Sequence, residues 1–225
     1  MDPGLPLHRV RMHGNAACFT RPELKTERVS YEVITPSAAR GVLEAILWKP
    51  AIRWKIHRIH VLAPIRFGQI KRNEVGSKLS ERGNHGSYFA DEDRVQRNTL
   101  FLRDVDYLVE ARFEMTDQAG PGDTPAKFAE MFERRLAKGQ HFHQPYLGCR
   151  EFPATVEPAP PRWSTPPELV GIKPLGLVLW DLVHNPKSTR LVDGQRIHVC
   201  DGCKPLFFEA RLQDGVLEVP LEVSS

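Results

Sequence analysis

The chain has 225 residues, enough for one large domain or for one domain with a small appendage. Hydrophobic residues make up 41% of it and charged residues 26%, which excludes a chain that is disordered throughout. The net charge of +3 is mildly basic, so binding to nucleic acid would depend on how the charges are distributed. We expect a cytoplasmic protein without a membrane span. The N-terminus lacks the apolar region of a secretory signal, and the cysteines suit a reducing compartment.

Alternating and helical patterns define the first elements of the chain. Residues 8–19 predict a strand, and a basic loop follows it. The Thr-Pro pair at residues 35–36 is a typical N-cap and first helical residue, and the apolar residues after it predict a helix that ends before Pro50. Residues 51–67 alternate as a strand, with a one-residue change of phase that predicts a β-bulge near Arg58.

The next elements repeat this order. Residues 69–98 are polar, basic and glycine-containing, which is typical of a functional loop or a projecting hairpin. Residues 104–115 give the cleanest strand pattern of the chain. A second helix is predicted from the Thr-Pro pair at residues 124–125 to the Lys-Gly pair at residues 138–139. Residues 144–156 predict a further strand.

This order of strand, helix, strand, strand, helix, strand predicts an α+β, ferredoxin-like (RRM-like) β-α-β-β-α-β core with two helices on one face of an antiparallel sheet. We expect residues 1–156 to form this core, with a projecting hairpin at 69–98. A proline-rich linker is expected at 157–175, followed by a small C-terminal β region at 176–225 with a hairpin turn at Asp214–Gly215. The sheet face opposite the helices would then be free for a ligand, which in this fold is often RNA.

Metal and cofactor motifs are weak in this sequence. Cys200 and Cys203 form a CxxC pair, but a structural zinc site needs four ligands, and Cys18 and Cys149 are isolated in different predicted strands. The Asp-Gly centre of the pair is itself a turn signal. The sequence has no glycine-rich phosphate-binding loop and no acidic constellation for two magnesium ions. We therefore predict no metal site and no cofactor.

The second predicted helix and the residues after it, AKFAEMFERRLAKGQHFH (126–143), collect basic residues and two histidines. At helical spacing Lys127, Arg134 and Lys138 share one face, whereas Phe128 belongs to the apolar stripe. The basic face is either a solvated surface or a surface that binds phosphate. Metal-free cleavage of RNA would need a general base for the 2′-hydroxyl and a cation for the phosphorane oxygens.

Basic residues interleaved with aromatic rings are typical of single-stranded RNA binding. The aromatic side chains of Trp48 and Trp54 fit this reading and fit a core position equally well. The candidate RNA-binding residues are Arg21, Lys25, Arg28, Tyr31, Arg40, Lys49, Arg53, Arg72, Arg134, Lys138 and His143.

Five long runs of the chain are more specific than any short motif. They are CFTRPELKTERVSYEVITPSAARGVLEAILWKPAIRW (18–54), IRFGQIKRNEVGSKL (65–79), TLFLRDVDYLVEARFEMTD (99–117), FERRLAKGQ (132–140) and LGCREFPA (147–154). These runs resemble the CRISPR-associated Cas-five family, subtype d (also called c) of type I-C systems. The resemblance implies a RAMP-type ferredoxin-like fold. It also implies a subunit that caps one end of the antiviral effector complex Cascade and holds the 5′ repeat-derived handle of the CRISPR RNA. Its expected partners are CRISPR RNA and the backbone and large subunits, with contact to target DNA left open.

The resemblance further implies that this subunit usually cuts precursor CRISPR RNA without metal. The family's catalytic set is a tyrosine or histidine before a Trp-Lys-Pro motif and a Lys-His pair that opens the second helix. Here the first position is Leu47, the lysine is kept as Lys127, and its neighbour is Phe128. Two groups that could carry a proton are thus replaced by apolar side chains. We therefore expect RNA binding without cleavage, with Lys127 as the catalytic candidate.

Two other functions stay open at this point. One is a metal-independent endoribonuclease that leaves a 2′,3′-cyclic phosphate and uses Tyr31, His141 or His143 as a substitute base. The other is a small metal-bearing interaction module built around Cys200 and Cys203, against which the resemblance argues.

Overall fold

A computed structural model of the chain describes residues 6–24, 26–76, 93–184, 189–192, 195–198 and 203–223, with backbone only for 189–192 and 195–198. The predicted RNA-binding residue Lys25 and the predicted ligand Cys200 lie outside these ranges. Two helices and ten strands are described, in the following order along the chain: β1 (His8–Ala17), α1 (Pro36–Ile46), β2 (Ile52–Val61), β3 (Phe67–Val75), β4 (Arg94–Met115), α2 (Pro125–Ala137), β5 (Thr155–Pro158), β6 (Ile172–Val183), β7 (Thr189–Val192), β8 (Gln195–His198), β9 (Lys204–Gln213) and β10 (Val216–Glu218).

Eight of the described strands form one antiparallel sheet. Its order is β5–β1–β4–β2–β10–β9–β6, and β3 pairs with β4 outside this path. The segment β5–β1–β4–β2, with α1 and α2 between its strands along the chain, is the ferredoxin-like arrangement, so the predicted fold class is confirmed. Strands β3 and β4 pair over Phe67–Val75 and Arg94–Leu102, which confirms a hairpin for the described ends of the predicted 69–98 segment.

Both helices begin where the Thr-Pro pairs predict. The Thr35 hydroxyl accepts a hydrogen bond from the Ala38 N–H at 3.2 Å, and the Thr124 hydroxyl accepts one from the Lys127 N–H at 3.3 Å. Each threonine thus satisfies a donor that the first helical turn leaves without a partner. No helix among the described residues is long and apolar enough to cross a membrane.

The predicted bulge in β2 is confirmed and sets which side chains face the helices. The register of β2 against β4 shifts between Ile56 and Arg58. As a result, Trp54 and Ile56 before the shift and Ile59 after it are all buried on the helix side of the sheet. Without the extra residue, the second half of the strand would turn its apolar side chains away from the core.

The predicted strand at 144–156 is wrong for most of its length. Residues 144–154 form turns with an isolated bridge between Tyr146 and Pro153, and regular pairing starts only at Thr155. Proline has no N–H for a strand ladder, which explains the late start. Gly148 has a φ of +85°, and a Cβ there would collide with the Cys18 carbonyl, so the turn at this point requires glycine.

The C-terminal strands continue the sheet of the core. Strand β10 pairs with β2, and β9 joins β10 to β6. The predicted hairpin at Asp214–Gly215 is confirmed, since these two residues connect β9 to β10. The division into a unit of residues 1–156 and a separate C-terminal unit stays a prediction.

An aromatic cluster joins α2 to the sheet. The Phe132 ring lies 4.6 Å from the Trp54 ring and 5.1 Å from the His8 ring, measured between centroids. Trp54 also packs edge-on to Phe113 at 5.3 Å. The His8 Nδ1 lies 2.6 Å from a carboxylate oxygen of Glu133, one residue beyond Phe132 on α2. We call Trp54, Phe113, Phe132 and His8 the aromatic cluster.

We expect Phe132→Ala to lower the free energy of unfolding by about 3–5 kcal/mol, because it removes a fully buried ring and leaves a cavity between α2 and the sheet. Chemical denaturation with fluorescence detection measures this change. The matched control is Phe142→Ala, which removes a ring that is 91% exposed and should change stability by less than about 0.5 kcal/mol. Equal effects of the two substitutions would contradict the placement of α2.

Candidate nucleic-acid interface

The two positions where the resemblance expects proton-carrying groups lie in the core. Leu47 is the residue after α1 and is fully buried, with its carbonyl accepting a hydrogen bond from the Trp54 Nε1 at 3.0 Å. Phe128 in the first turn of α2 is also buried and belongs to the same apolar stripe as Phe132 and Leu136. The side chains present at these two positions pack against other apolar groups and cannot accept or donate a proton.

Lys127 is the neighbour of Phe128 on α2 and points to solvent. Its Nζ donates to the Asp123 carboxylate at 2.9 Å and to the Gly122 carbonyl at 3.2 Å. The hydrogen bond from Lys127 is the largest cause that lowers the pKa of Asp123, and the charge of Lys49 acts in the same direction. Lys127 thus contacts Asp123 directly, and Lys49 adds to the positive potential at this carboxylate.

Two exposed residues at the end of α1 complete this surface. Trp48 is 62% exposed, in contrast to Trp54, which is buried in the aromatic cluster. Lys49 follows it and is also exposed. We call Trp48, Lys49, Asp123 and Lys127 the lysine patch. Exposed ammonium groups can bind phosphates, and an exposed indole ring can stack a base.

Arg28 and Arg72 form a second basic group, but each is already paired. Glu151 accepts hydrogen bonds from both guanidinium groups, at 2.8 Å from Arg28 and 2.5 Å from Arg72. Glu74 lies 3.4 Å from Arg28 and 3.1 Å from Arg72. These pairs are partly exposed, where an ion pair contributes only about 0–1 kcal/mol. An RNA phosphate could therefore replace a carboxylate at little cost.

The sequence predicts Tyr31 as an RNA contact and as a substitute base, but its side chain is buried. Its ring is 1% exposed and is covered by the Arg21 guanidinium at 4.4 Å, which in turn donates to Glu32 at 3.0 Å. Burial raises the pKa of Tyr31. A base could not stack on this ring, and a phenol with a raised pKa is a poor proton acceptor at neutral pH, so we remove Tyr31 from the candidate contacts and bases.

Arg40 holds α1 against β6. Its guanidinium donates two hydrogen bonds to the Asp181 carboxylate, at 2.7 and 2.8 Å, and also lies 3.7 Å from Glu44. A cavity of about 340 Å³ lies beside it, lined by Ser37, Arg40 and His143 among others. A second cleft of about 360 Å³ has Arg40 and Arg53 in its wall. Arg40 is thus a structural residue at the border of two clefts.

The remaining candidates lie on the surface. Arg53, Arg134, Lys138 and His143 are exposed. The sequence did not single out Phe142, whose ring is 91% exposed between His141 and His143 while its N–H donates to the Ala45 carbonyl at 2.7 Å. An aromatic residue between two histidines was the available signal for it.

The sheet face opposite the helices is less open than predicted. The proline-rich segment crosses it, because the Trp163 ring lies 5.9 Å from the Arg9 guanidinium and 5.7 Å from the His60 ring. On the same face Arg9 donates to Glu110 at 2.9 Å and Arg11 donates to Asp106 at 2.7 Å. The basic groups described here are thus balanced by carboxylates, and the ends of α1 and α2 are the better candidate surface.

The metal hypothesis gains no support from the part of the chain that the structure describes. There, no group of three or more His, Cys, Asp or Glu side chains lies close enough to hold a metal ion. Cys203 is described but residues 199–202 are not, so the interpretation of Cys200–Cys203 as a turn stays a prediction.

The core and its extended sheet define the chain as an α+β protein of the ferredoxin-like fold. The family model described as CRISPR-associated protein (Cas_Cas5) matches residues 9–220. The chain belongs to this Cas5 family, in its type I-C subtype.

Two relatives cover nearly the whole chain. A CRISPR pre-crRNA endoribonuclease Cas5d of Mannheimia succiniciproducens is 43% identical over 231 residues, covering 95% of each chain. A protein of the same name from Thermus thermophilus is 45% identical over 218 residues, covering 95% of this chain and 91% of the relative. A crystal structure of a CRISPR-associated protein has a TM-score of 0.65 at 20% identity, covering 96% of this chain and 92% of that chain, and this likeness shows the fold.

The contact between Lys127 and Asp123 predicts how Asp123 titrates. We expect NMR titration to find the pKa of Asp123 below its ordinary value and Lys127→Met to raise it, because the substitution removes the principal hydrogen bond to the carboxylate. Lys138→Met, which removes a charge at the other end of α2, is the matched control and should leave this pKa unchanged. An Asp123 pKa that stayed the same in Lys127→Met would show that the ammonium does not contact the carboxylate.

Proposed function

We propose that the chain is the CRISPR RNA-binding subunit of the type I-C antiviral complex Cascade, acting in the cytoplasm. It holds the 5′ repeat-derived handle of the CRISPR RNA and caps one end of the complex, in contact with the backbone and large subunits. Family membership over residues 9–220 supports this assignment. The observation that carries it is the lysine patch, which combines exposed cations with an exposed aromatic ring while the neighbouring Leu47 and Phe128 are buried.

The proposed RNA contacts start at the lysine patch, with Lys49 and Lys127 as phosphate ligands and Trp48 as a stacking surface. Arg134 and Lys138 extend the basic surface along α2. A second group of candidate RNA contacts consists of Arg21, Arg28 and Arg72. Each would bind an RNA phosphate in place of its present carboxylate partner. The exposed side chains of Arg53, Phe142 and His143 are further candidates.

A second candidate function is cleavage of precursor CRISPR RNA. The two relatives with 43% and 45% identity are named pre-crRNA endoribonucleases, which favours it. Lys127 could stabilise the charge on a phosphorane. No base is described beside Lys127. Asp123 has a lowered pKa and is a weak proton acceptor, and His141 and His143 follow the opposite end of α2 from Lys127. We therefore propose binding as the function of this chain and treat cleavage as the alternative.

Binding should depend on the lysine patch and on salt. We expect Lys49→Ala and Lys127→Ala each to weaken binding of the cognate repeat RNA, and each to reduce the slope of log affinity against log salt by about 0.7, because one phosphate contact is lost. Fluorescence anisotropy with labelled RNA at several salt concentrations measures both quantities. Lys173→Ala, which removes an exposed lysine from β6, is the matched control. A slope unchanged by both patch substitutions would contradict the proposed surface.

Cleavage is tested with the same RNA in the presence of EDTA. We expect binding with little cleavage, since loss of the general base alone costs about 10²–10⁴-fold in rate. A matched RNA with a single 2′-deoxy nucleotide at the expected scissile position controls for contaminating nucleases. Rapid cleavage that leaves a 2′,3′-cyclic phosphate, needs the 2′-hydroxyl and is abolished by Lys127→Ala would establish the alternative. Failure to bind repeat RNA at all would overturn both functions.

A further inference from the structure

The structure brings together two cysteines that the sequence places 131 positions apart. The Cys18 N–H donates to the Leu147 carbonyl at 3.0 Å, which sets the end of β1 beside the turn that contains Cys149. The Cys149 thiol lies 3.6 Å from the Cys18 carbonyl oxygen. The Thr20 hydroxyl lies 3.5 Å from the Cys18 sulfur and 3.9 Å from the Cys149 sulfur. The expectation that these cysteines are isolated is therefore wrong.

The two thiols differ in access and in acidity. Cys18 is fully buried, whereas Cys149 is partly exposed and can meet a solute. A hydrogen bond from the Cys18 thiol, aided by the Thr20 hydroxyl and the charge of Arg28, lowers the pKa of Cys149 to about 6. The same contact, together with burial, raises the pKa of Cys18. These opposite shifts make Cys149 the more acidic of the two thiols and Cys18 the one that keeps its proton.

We propose that Cys18 and Cys149 form a peroxide-reactive thiol pair in which Cys149 is the nucleophile and Cys18 the resolving cysteine. The Cys149 thiolate attacks one oxygen of a hydroperoxide, the O–O bond breaks, and the leaving oxygen departs as hydroxide or alkoxide. The resulting sulfenic acid is attacked by the Cys18 sulfur, which forms the S–S bond. The hydroxyl leaves as water with the proton of Cys18. The two thiols lose two electrons and the peroxide gains them. A dithiol reductant then reduces the disulfide back to two thiols and is itself oxidised to a disulfide.

The local structure fits such a bond. Cys149 lies in a turn rather than in a strand ladder, so its side chain can approach Cys18 without breaking regular pairing. Glu151 of the same turn is the shared carboxylate of Arg28 and Arg72. A disulfide would therefore tie the end of β1 to the turn that carries this ion-pair group.

The test uses full-length protein with Cys200→Ser and Cys203→Ser, which leaves Cys18 and Cys149 of the four cysteines. After treatment with hydrogen peroxide and alkylation of free thiols, peptide mass spectrometry should find Cys18 linked to Cys149, and dithiothreitol should remove the link. In this background we expect the rate of Cys149 alkylation to have a pH midpoint near 6. Cys18→Ala should move that midpoint up towards the ordinary value of a thiol and should let dimedone trap a sulfenic acid on Cys149.

A second variant keeps the proposal testable if Cys18→Ala does not fold. Cys149→Ser in the same background should abolish both the linked peptide and the rapid loss of thiol in peroxide, leaving buried Cys18 unreactive. Absence of the Cys18–Cys149 peptide would overturn the proposal. Peroxide consumption that Cys149→Ser leaves unchanged would overturn it as well.

Discussion

The packing of α2 against the sheet through the aromatic cluster is the constraint on which the candidate surface depends. Phe132 fills the space between Trp54 and His8, and the Trp54 indole fixes the end of α1 by donating to the Leu47 carbonyl. Because α2 is held in this rotation, its apolar stripe takes Phe128 into the core and leaves Lys127 in solvent. The same contacts that stabilise the fold thus determine which residues of α2 are exposed on the candidate surface.

Ion pairs determine how many of the basic side chains are available to bind a phosphate. Arg40 is already used in a structural contact, since its two hydrogen bonds to Asp181 join α1 to β6. Both side chains are partly buried, so leaving the Asp181 carboxylate without its partner would be destabilising. Arg28 and Arg72 are about as buried as Arg40, but their shared carboxylate Glu151 is 42% exposed against 21% for Asp181, so these ion pairs are the weaker ones. A phosphate would therefore compete more easily for Arg28 and Arg72 than for Arg40. Residue type alone does not separate these cases.

The sequence predicted the structure correctly where that structure is determined by residues close together along the chain. The Thr-Pro starts of both helices, the bulge before Arg58 and the Asp214–Gly215 turn all follow from short patterns. The failures involve partners distant in sequence. Trp163 lies across the sheet face that the alternating pattern alone leaves open. Cys18, which follows β1, lies close to Cys149 because the turn at Gly148 returns the chain to the end of that strand. No periodicity in the sequence encodes these contacts.

Folding and cleavage depend on different numbers of residues, so they can be separated within one family. The ferredoxin-like core rests on many buried contacts, and identity of 43–45% to relatives preserves enough of them to keep the fold. Metal-free cleavage rests on a few proton-carrying groups, and where the resemblance expects two of them this chain has Leu47 and Phe128, both packed in the core. Replacing a polar group with an apolar one there costs no stability, because the buried position then needs no hydrogen-bond partner. The proposed binding would survive such a change, since its phosphate contacts would be spread over several exposed cations that each contribute a share of the affinity.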